Sequence, residues 1–282
     1  MTETSARCAL AGTALGAGEV VGPVGEGWFS WTFEVDSEWM VRFPRDDAVA
    51  TRHAKEQRLL PSLAARADFA VPVPQVLGSW AGRPFSCYRK LPGRPAQVDD
   101  LAPEQLAGLL RSLHAFPADE ARRLIGEPGT AEDWAARYWH LKATSDRRVV
   151  PLLEPMTAQR LDAAFTRFFA LAAGVPLTLI HGDLGVEHVL IGADRPGVID
   201  FEFAAVGDPT LDFIGIWLAG GPDITESVVA AYGPVDDDFW FRLRFYAAMG
   251  SVHAIIYALD HDDPDLRVDA SRRLDERLAG LT

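Results

Sequence analysis

The sequence predicts an α+β chain, a small β-rich lobe followed by a large, mainly helical one. Three observations predict it. The first ninety residues are rich in strand-like runs, with period-two alternation in "WFSWTFEVD", and helical spacing takes over from about Asp100. Strand-like apolar pieces then return only briefly, on either side of the polar stretch "HGDLGVEHVL" at 181–190.

In chain order, "WFSWTFEVD" alternates aromatic and polar residues, and "EWMVRFP" follows Asp36 and Ser37, which suit a hairpin turn. "DAVATRHAKEQRLLPSLAARA" places Leu59, Leu60 and Leu63 on one side of a helix. "VPVPQVLGSWAGRPFSCYRKLPG" reads as a loop leading to two short strands around "AGR", because Pro72 and Pro74 exclude a central strand at that point. Ala102-Pro103 starts the amphipathic run "APEQLAGLLRSLHAF". "AEDWAARYWHLKATS" and "AQRLDAAFTRFFALAAG" continue at helical period. Strand-like "LTLI" and "HVLI/GVIDF" bracket the polar motif. Four further runs are helical in pattern: "DFIGIWLAG", "ITESVVAAYG", "DDFWFRLRFYAAMGSVHAIIYALDH" and "DLRVDASRRLDERLAGL". No internal repeat or low-complexity linker divides the chain.

At 282 residues, 48% hydrophobic and 24% charged, the chain is long enough to bury a sizeable core. No apolar run approaches the roughly 18 to 20 residues of a membrane span. "CALAGTALGAG" has only Arg7 before it and no strongly apolar centre, so it reads as part of the folded protein and not as a signal. Cys8 and Cys87 are too few for a disulfide framework or a thiolate metal site. A cytoplasmic location is the default. The net charge is −13, and from His181 onward 19 acidic residues face 7 Arg and no Lys. That balance argues against nucleic acid as a partner and favours a cationic small molecule or a basic partner, or else a solubility surface.

Asp183, His188 and Asp200 each stand at the end of an apolar run, and each is an oxygen or nitrogen donor. Mg²⁺ takes one or two carboxylates and completes its shell with phosphate oxygens and water. A carboxylate beside a transferred phosphate can also accept a hydroxyl proton, so Asp183 and Asp200 could divide those jobs. The plainer alternative is a set of helix caps and turn-forming acids.

"HGDLGVEHVL", "VIDFEFAAVGDPTLDF" and the upstream "VRFPR" together resemble the aminoglycoside phosphotransferase family of kinase-like enzymes, from about Gly25 to the C-terminus. The match is an ordered set: a basic strand residue, a helical Glu, a hinge ending in "PG", then "HGD", "IDF" and "GDP…D". The resemblance implies a two-lobed protein-kinase-like fold. Residues 1–91 would form the nucleotide-binding lobe, and 92–282 the helical lobe with the catalytic loop and substrate pocket. It makes Asp183 the catalytic base, position 188 the loop's metal ligand and Asp200 the second Mg²⁺ ligand. His181 would brace the loop and Gly182 would allow its bend. Arg42 stands where kinases carry a strand lysine, with Glu56 as its partner, and its planar fork keeps the charge. "GEGWFSW", with only Gly25 and Gly27, replaces the glycine-rich loop, so Ser30 is expected near the phosphates. The hinge "FSCYRKLPG" would meet the purine with backbone groups from Tyr88 to Leu91, leaving ATP and GTP both open as donor.

The expected activity is transfer of a γ-phosphoryl group to a hydroxyl of a cationic substrate, first an aminoglycoside, next a macrolide or a metabolite such as an amino sugar. Glu187 and Glu202 flank the motif and are the candidate contacts to that substrate. Asp208 and Asp212 are read as architectural, the acidic clusters at 236–238 and 260–265 as caps and loops, and His114, His253 and His261 as structural. His188 departs from the usual Asn, as in some macrolide phosphotransferases; a neutral imidazole can still ligate, as a softer and bulkier donor. Arg for Lys, His for Asn and a glycine-poor loop leave a second expectation, a nucleotide-binding pseudokinase-like module with little transfer. Oligomeric state is not legible.

Overall fold

The structure is a computed structural model that describes residues 1–24 and 29–281, so Gly25 and Gly27 lie outside the described residues. The chain condenses into two compact units that interleave along the sequence. Met1–Asp100, Asp119–Glu127 and Val186–Ala204 form the first; Leu101–Ala118, Pro128–Gly185 and Ala205–Thr282 form the second.

The first unit is built on an antiparallel sheet of β1 (Val20–Val21), β2 (Ser30–Val35), β3 (Trp39–Pro44), β4 (Gln75–Trp80) and β5 (Arg83–Arg89), in the order β1-β2-β3-β5-β4. Alternation puts Phe33 and Val35 of β2, Val41 and Phe43 of β3, and Phe85 and Cys87 of β5 into one apolar cluster. Phe43 stacks on Phe85 at 4.6 Å and meets Phe33 edge-on at 5.9 Å. The β2–β3 turn forms where the sequence places it. Asp36 and Ser37 take φ of 53° and 57°, left-handed values that short polar side chains tolerate better than branched ones. "AGR" likewise turns β4 into β5, with Ala81 and Gly82 at positive φ.

One element of this unit was not anticipated. The small-residue N-terminal stretch begins as a helix, Glu3–Leu10, capped by the Thr2 side chain, which accepts from the Ser5 N–H at 3.2 Å. It buries Ala6 and Leu10 against the sheet's apolar face. The longer helix, Asp47–Ala64, is capped by Asp46 accepting from the Val49 N–H at 2.8 Å, and its buried side chains are Val49, His53, Glu56, Leu59, Leu60 and Leu63. Two polar residues, His53 and Glu56, thus sit on a helix face that is otherwise apolar. A small three-stranded sheet of Arg94–Pro95, Val189–Ile191 and Gly197–Val198 completes the unit. The Ala70 N–H donates to Pro196 at 2.8 Å, and the Val198 N–H donates back to Ala70 at 2.8 Å.

The second unit is mainly helical. Thr130 and Asp133 form a reciprocal capping box at the start of Ala131–Arg148, and Ala102-Pro103 opens Pro103–His114 as expected. "DFIGIWLAG" and "ITESVVAAYG" join into one run, Ile214–Tyr232, broken at Gly221 (φ 72°, ψ −170°), a conformation that is essentially glycine-only. An antiparallel ladder pairs Thr178–Ile180 with Ala205–Gly207. Gly207 is required there: a Cβ would stand 2.4 Å from the Trp134 ring. The core gathers Trp134, Tyr138, Phe165, Phe168, Phe245 and Tyr246, with Phe168 stacked on Phe245 at 4.3 Å. Among the described residues no helix is long and apolar enough to cross a membrane.

Phe245 is fully buried at the centre of this aromatic cluster. Phe245→Ala is expected to lower the unfolding free energy by roughly 3–5 kcal/mol, read as a fall in the urea midpoint.

Candidate active site

In the first unit the sequence-predicted pair is formed. Arg42 on β3 donates from Nη1 to Glu56 Oε2 at 2.8 Å. The same guanidinium donates from Nη2 to Glu202 Oε2 at 3.1 Å, and Arg52 Nε donates to the other oxygen of Glu202 at 2.7 Å. Burial acts to lower the Arg42 pKa, but the Glu56, Tyr88, Asp200 and Glu202 side chains outweigh it and raise it, so the guanidinium stays charged. Burial pushes the Glu56 and Glu202 carboxyls up, and their arginine partners oppose it. Burial also raises the Tyr88 phenol, against the pull of Arg42.

Glu202 was expected to contact the substrate. The structure instead turns its carboxylate into the interior, where both oxygens are taken by arginines. Ser30 also differs from expectation. It is buried, and its hydroxyl lies 2.9 Å from His53 Nε2. Desolvation first, then the charges of Arg42 and Arg52, push the His53 pKa down to about 3, so the imidazole is neutral. Among the described residues its Nδ1 is buried without a hydrogen-bond partner. An unpaired lone pair is easier to bury than an unpaired N–H, which favours the tautomer that donates from Nε2 to Ser30.

Leu91 follows the end of β5 and packs on Gly197, where a Cβ would stand 3.2 Å from its Cδ1. Tyr88, on β5, pairs in register with Met40 of β3. Glu187 and His188 lie in a single 3-10 turn, Val186–His188, so the strand begins at Val189, two residues past the acid. Glu187 is exposed. The Ile199 N–H donates to the His188 carbonyl at 3.0 Å, which brings the two predicted metal ligands together: His188 Nε2 is 4.0 Å from Asp200 Oδ2. Asp200 has φ 69° and ψ 56°, and its side chain is 47% exposed.

The second unit contains the remaining motif residues, His181 to Asp183. Strand Thr178–Ile180 ends at His181, and the buried Asp212 carboxylate accepts the His181 N–H at 2.8 Å and the Gly182 N–H at 2.9 Å. Gly182 takes φ 84°, which lets the chain bend there. The Asp183 N–H donates to His181 Nδ1 at 3.3 Å, so His181 braces the loop, while the Asp183 side chain is exposed. His114 stands behind Asp212: its Nε2 is 3.2 Å from Oδ2, and its Nδ1 is 2.9 Å from the Tyr232 hydroxyl. A carboxylate only accepts, so Nε2 carries the proton. Asp208 is equally buried and accepts from Arg242 Nε at 2.7 Å, the Tyr246 hydroxyl at 2.7 Å and the Thr210 N–H at 2.9 Å. Gly215 allows the close approach of this loop, since a Cβ would stand 2.1 Å from the Leu184 carbonyl oxygen.

Residues 20–246 match the APH family, described as "Phosphotransferase enzyme family". The chain belongs to that family. It is a phosphotransferase. A viomycin phosphotransferase of Streptomyces vinaceus is 28% identical over 269 residues, covering 88% of this chain and 92% of the relative. The solved GDP complex of wild-type aminoglycoside 2'-phosphotransferase-IIIa is 25% identical with a TM-score of 0.85 over the full length of both chains. The GDP and kanamycin complex of APH(2")-IIia is 26% identical with a TM-score of 0.84, covering 99% and 98%. A macrolide 2'-phosphotransferase type I, at 24% identity and a TM-score of 0.74 over 96% and 95%, shares the fold. The kinase-like α+β architecture expected from the sequence is therefore the one this phosphotransferase has.

Sequence reasoning did not find Arg52, His53, Arg242 or Tyr246. None of them falls in a quoted active-site motif, and most of their partners lie 20 or more residues away along the chain. Only the helical spacing of His53 and Glu56, polar residues on an apolar face, offered a local signal.

His53 sets a pH dependence of stability. Between the ordinary value of 6.5 and about 3, the unfolded chain takes up a proton that the folded protein does not, so acid favours unfolding. Unfolding free energy is expected to fall as pH drops below 6.5, by at most about 1.4 kcal/mol per pH unit from this group. Urea titrations of wild type and His53→Gln should show a shallower acid slope in the variant.

Proposed function

We propose that this phosphotransferase moves the γ-phosphoryl group of ATP or GTP to a hydroxyl of a cationic antibiotic, with an aminoglycoside as the first acceptor class. The observation that carries the reading is the loop at 181–183. Its backbone is clamped by the buried Asp212, and it leaves one exposed carboxylate, Asp183, at its end. Asp183 orients the acceptor hydroxyl and accepts its proton. Positioning and charge neutralisation supply the rest, with no covalent enzyme intermediate.

Arg42, held by Glu56, contacts the donor phosphates, and the backbone from Tyr88 to Leu91 meets the purine. His188 and Asp200 suit Mg²⁺: they offer two donors 4.0 Å apart on neighbouring segments, with Asp200 open to solvent. Among the described residues no cluster of three or more ligating side chains exists, which fits an ion completed by phosphate and water better than a closed protein cage. Such an ion, when bound, neutralises phosphate charge. GDP complexes among the relatives support GTP as a donor alongside ATP. Glu187, exposed in the turn before His188, is the acidic residue left for an amino group of the acceptor, since Glu202 is committed elsewhere. The kanamycin complex of one relative supports the aminoglycoside reading, and the viomycin phosphotransferase supports viomycin as a second acceptor to test.

Nucleotide consumption with ATP and with GTP, screened over kanamycin, gentamicin, streptomycin, viomycin and a macrolide, tests the acceptor. Turnover with none of them overturns this reading. Asp183→Ala is expected to cut transfer by roughly 10²–10⁴-fold while leaving nucleotide affinity nearly unchanged. Undiminished transfer would remove Asp183 from the mechanism. His188→Asn is expected to retain Mg²⁺-dependent transfer, because an amide oxygen also suits a hard cation.

A further inference from the structure

A lysine ammonium is a compact point charge, and one carboxylate suffices to aim it. A guanidinium is a planar fork with two outer nitrogens, and a single partner leaves it free to swing about that contact. In β3 both outer nitrogens of Arg42 are held. Glu56 takes Nη1 and Glu202 takes Nη2, and the two carboxylates are each only 4% exposed. Glu202 comes from the turn Phe201–Phe203, directly after Asp200. Its second oxygen is held by Arg52, one helical turn before Glu56 on the same helix. The Arg52 guanidinium lies over the rings of Phe29 at 4.6 Å and Phe203 at 5.4 Å, which fixes it in place.

We propose that Glu202 is a positioning residue for donor binding: the second anchor that holds the Arg42 fork in one plane, with Arg52 present to balance its charge. The inference rests on the reading that Arg42 meets the donor phosphates. The charge balance supports it. Glu56 and Glu202 with Arg42 alone would leave a buried net negative charge, which disfavours an incoming polyphosphate; Arg52 cancels it. Removing one member of such a buried set strands the other charges, so the cost appears only when its partner is present.

That coupling is the test. Direct titration of ATP and GTP into the full-length protein, with Mg²⁺ and with EDTA, reads donor affinity without any acceptor. Glu202→Gln is expected to weaken donor binding roughly tenfold and leave the acceptor KM unchanged. In an Arg42→Lys background the same change is expected to cost little, because the lysine needs only Glu56. Glu202→Asp should recover part of the loss, and Arg52→Gln should reproduce it. Unchanged donor affinity in Glu202→Gln overturns the proposal, as does an equal loss in both backgrounds. Thermal unfolding controls for folding, and if Glu202→Gln does not fold, Glu202→Asp and Arg52→Gln carry the test by the same criterion. A wild-type protein that binds neither nucleotide would instead overturn the functional reading itself.

Discussion

Arg42 lies between two carboxylates that the interior of the first unit has stripped of water. A buried ion without a partner costs several kcal/mol, so none of these groups is tolerable alone. The solution is a closed chain of charge, Glu56–Arg42–Glu202–Arg52, drawn from a strand, a helix and a turn. The helix face that delivers Glu56 also delivers His53, which burial first and then the same two guanidiniums keep neutral. Burial together with these two charges thereby limits which polar residues the apolar face can carry, and in which protonation state.

The second unit solves the same problem with a different geometry. Asp212 is fully buried, yet it needs no arginine, because two backbone N–H groups and His114 fill its oxygens. Those two amides belong to the residues just before Asp183, so the neutralisation of a buried acid and the shaping of the loop are one interaction. Asp208, four residues away, takes the charged route through Arg242 and is further held by Tyr246, itself reached by the Trp134 indole N–H at 3.0 Å. Asp208 caps the turn Pro209–Phe213 that contains Asp212, so the residue that clamps the loop sits in a turn tied to the aromatic core.

Much of this was legible from local chemistry. Asp36-Ser37, "AGR" and Ala102-Pro103 each encode a backbone conformation within a few residues, and the structure puts turns or a helix start at each. The Glu3–Leu10 helix was not legible. Its cap, Thr2, lies outside the small-residue run, and its stability comes from Ala6 and Leu10 packing on a sheet assembled from residues far downstream. The site divides the same way. Asp183, His188, Asp200, Arg42 and Glu56 sit in ordered motifs, and the structure forms the Arg42–Glu56 pair and brings His188 and Asp200 to 4.0 Å. The inward turn of Glu202 does not follow from its motif, because it depends on Arg42, 160 residues earlier. Ser30 was misplaced for a related reason: its sequence neighbours suggest a phosphate loop, but its actual partner is on a helix 23 residues on.

The acidic C-terminal third shows why composition is a poor guide to the acceptor. Asp236 is forked by Arg242, Asp238 is paired with Arg167, Asp260 with Arg148, and Asp263 caps the last helix. The Asp236 carboxyl lies below its ordinary range chiefly through the Arg242 hydrogen bonds. Asp236, Asp238 and Asp260 are thus each engaged by an arginine in ion pairs that remain partly exposed to solvent. Net charge still raises the local concentration of cations around the protein, which is a long-range effect. Recognition of one amino group needs an exposed carboxylate, and Glu187, in the turn Val186–His188, is exposed.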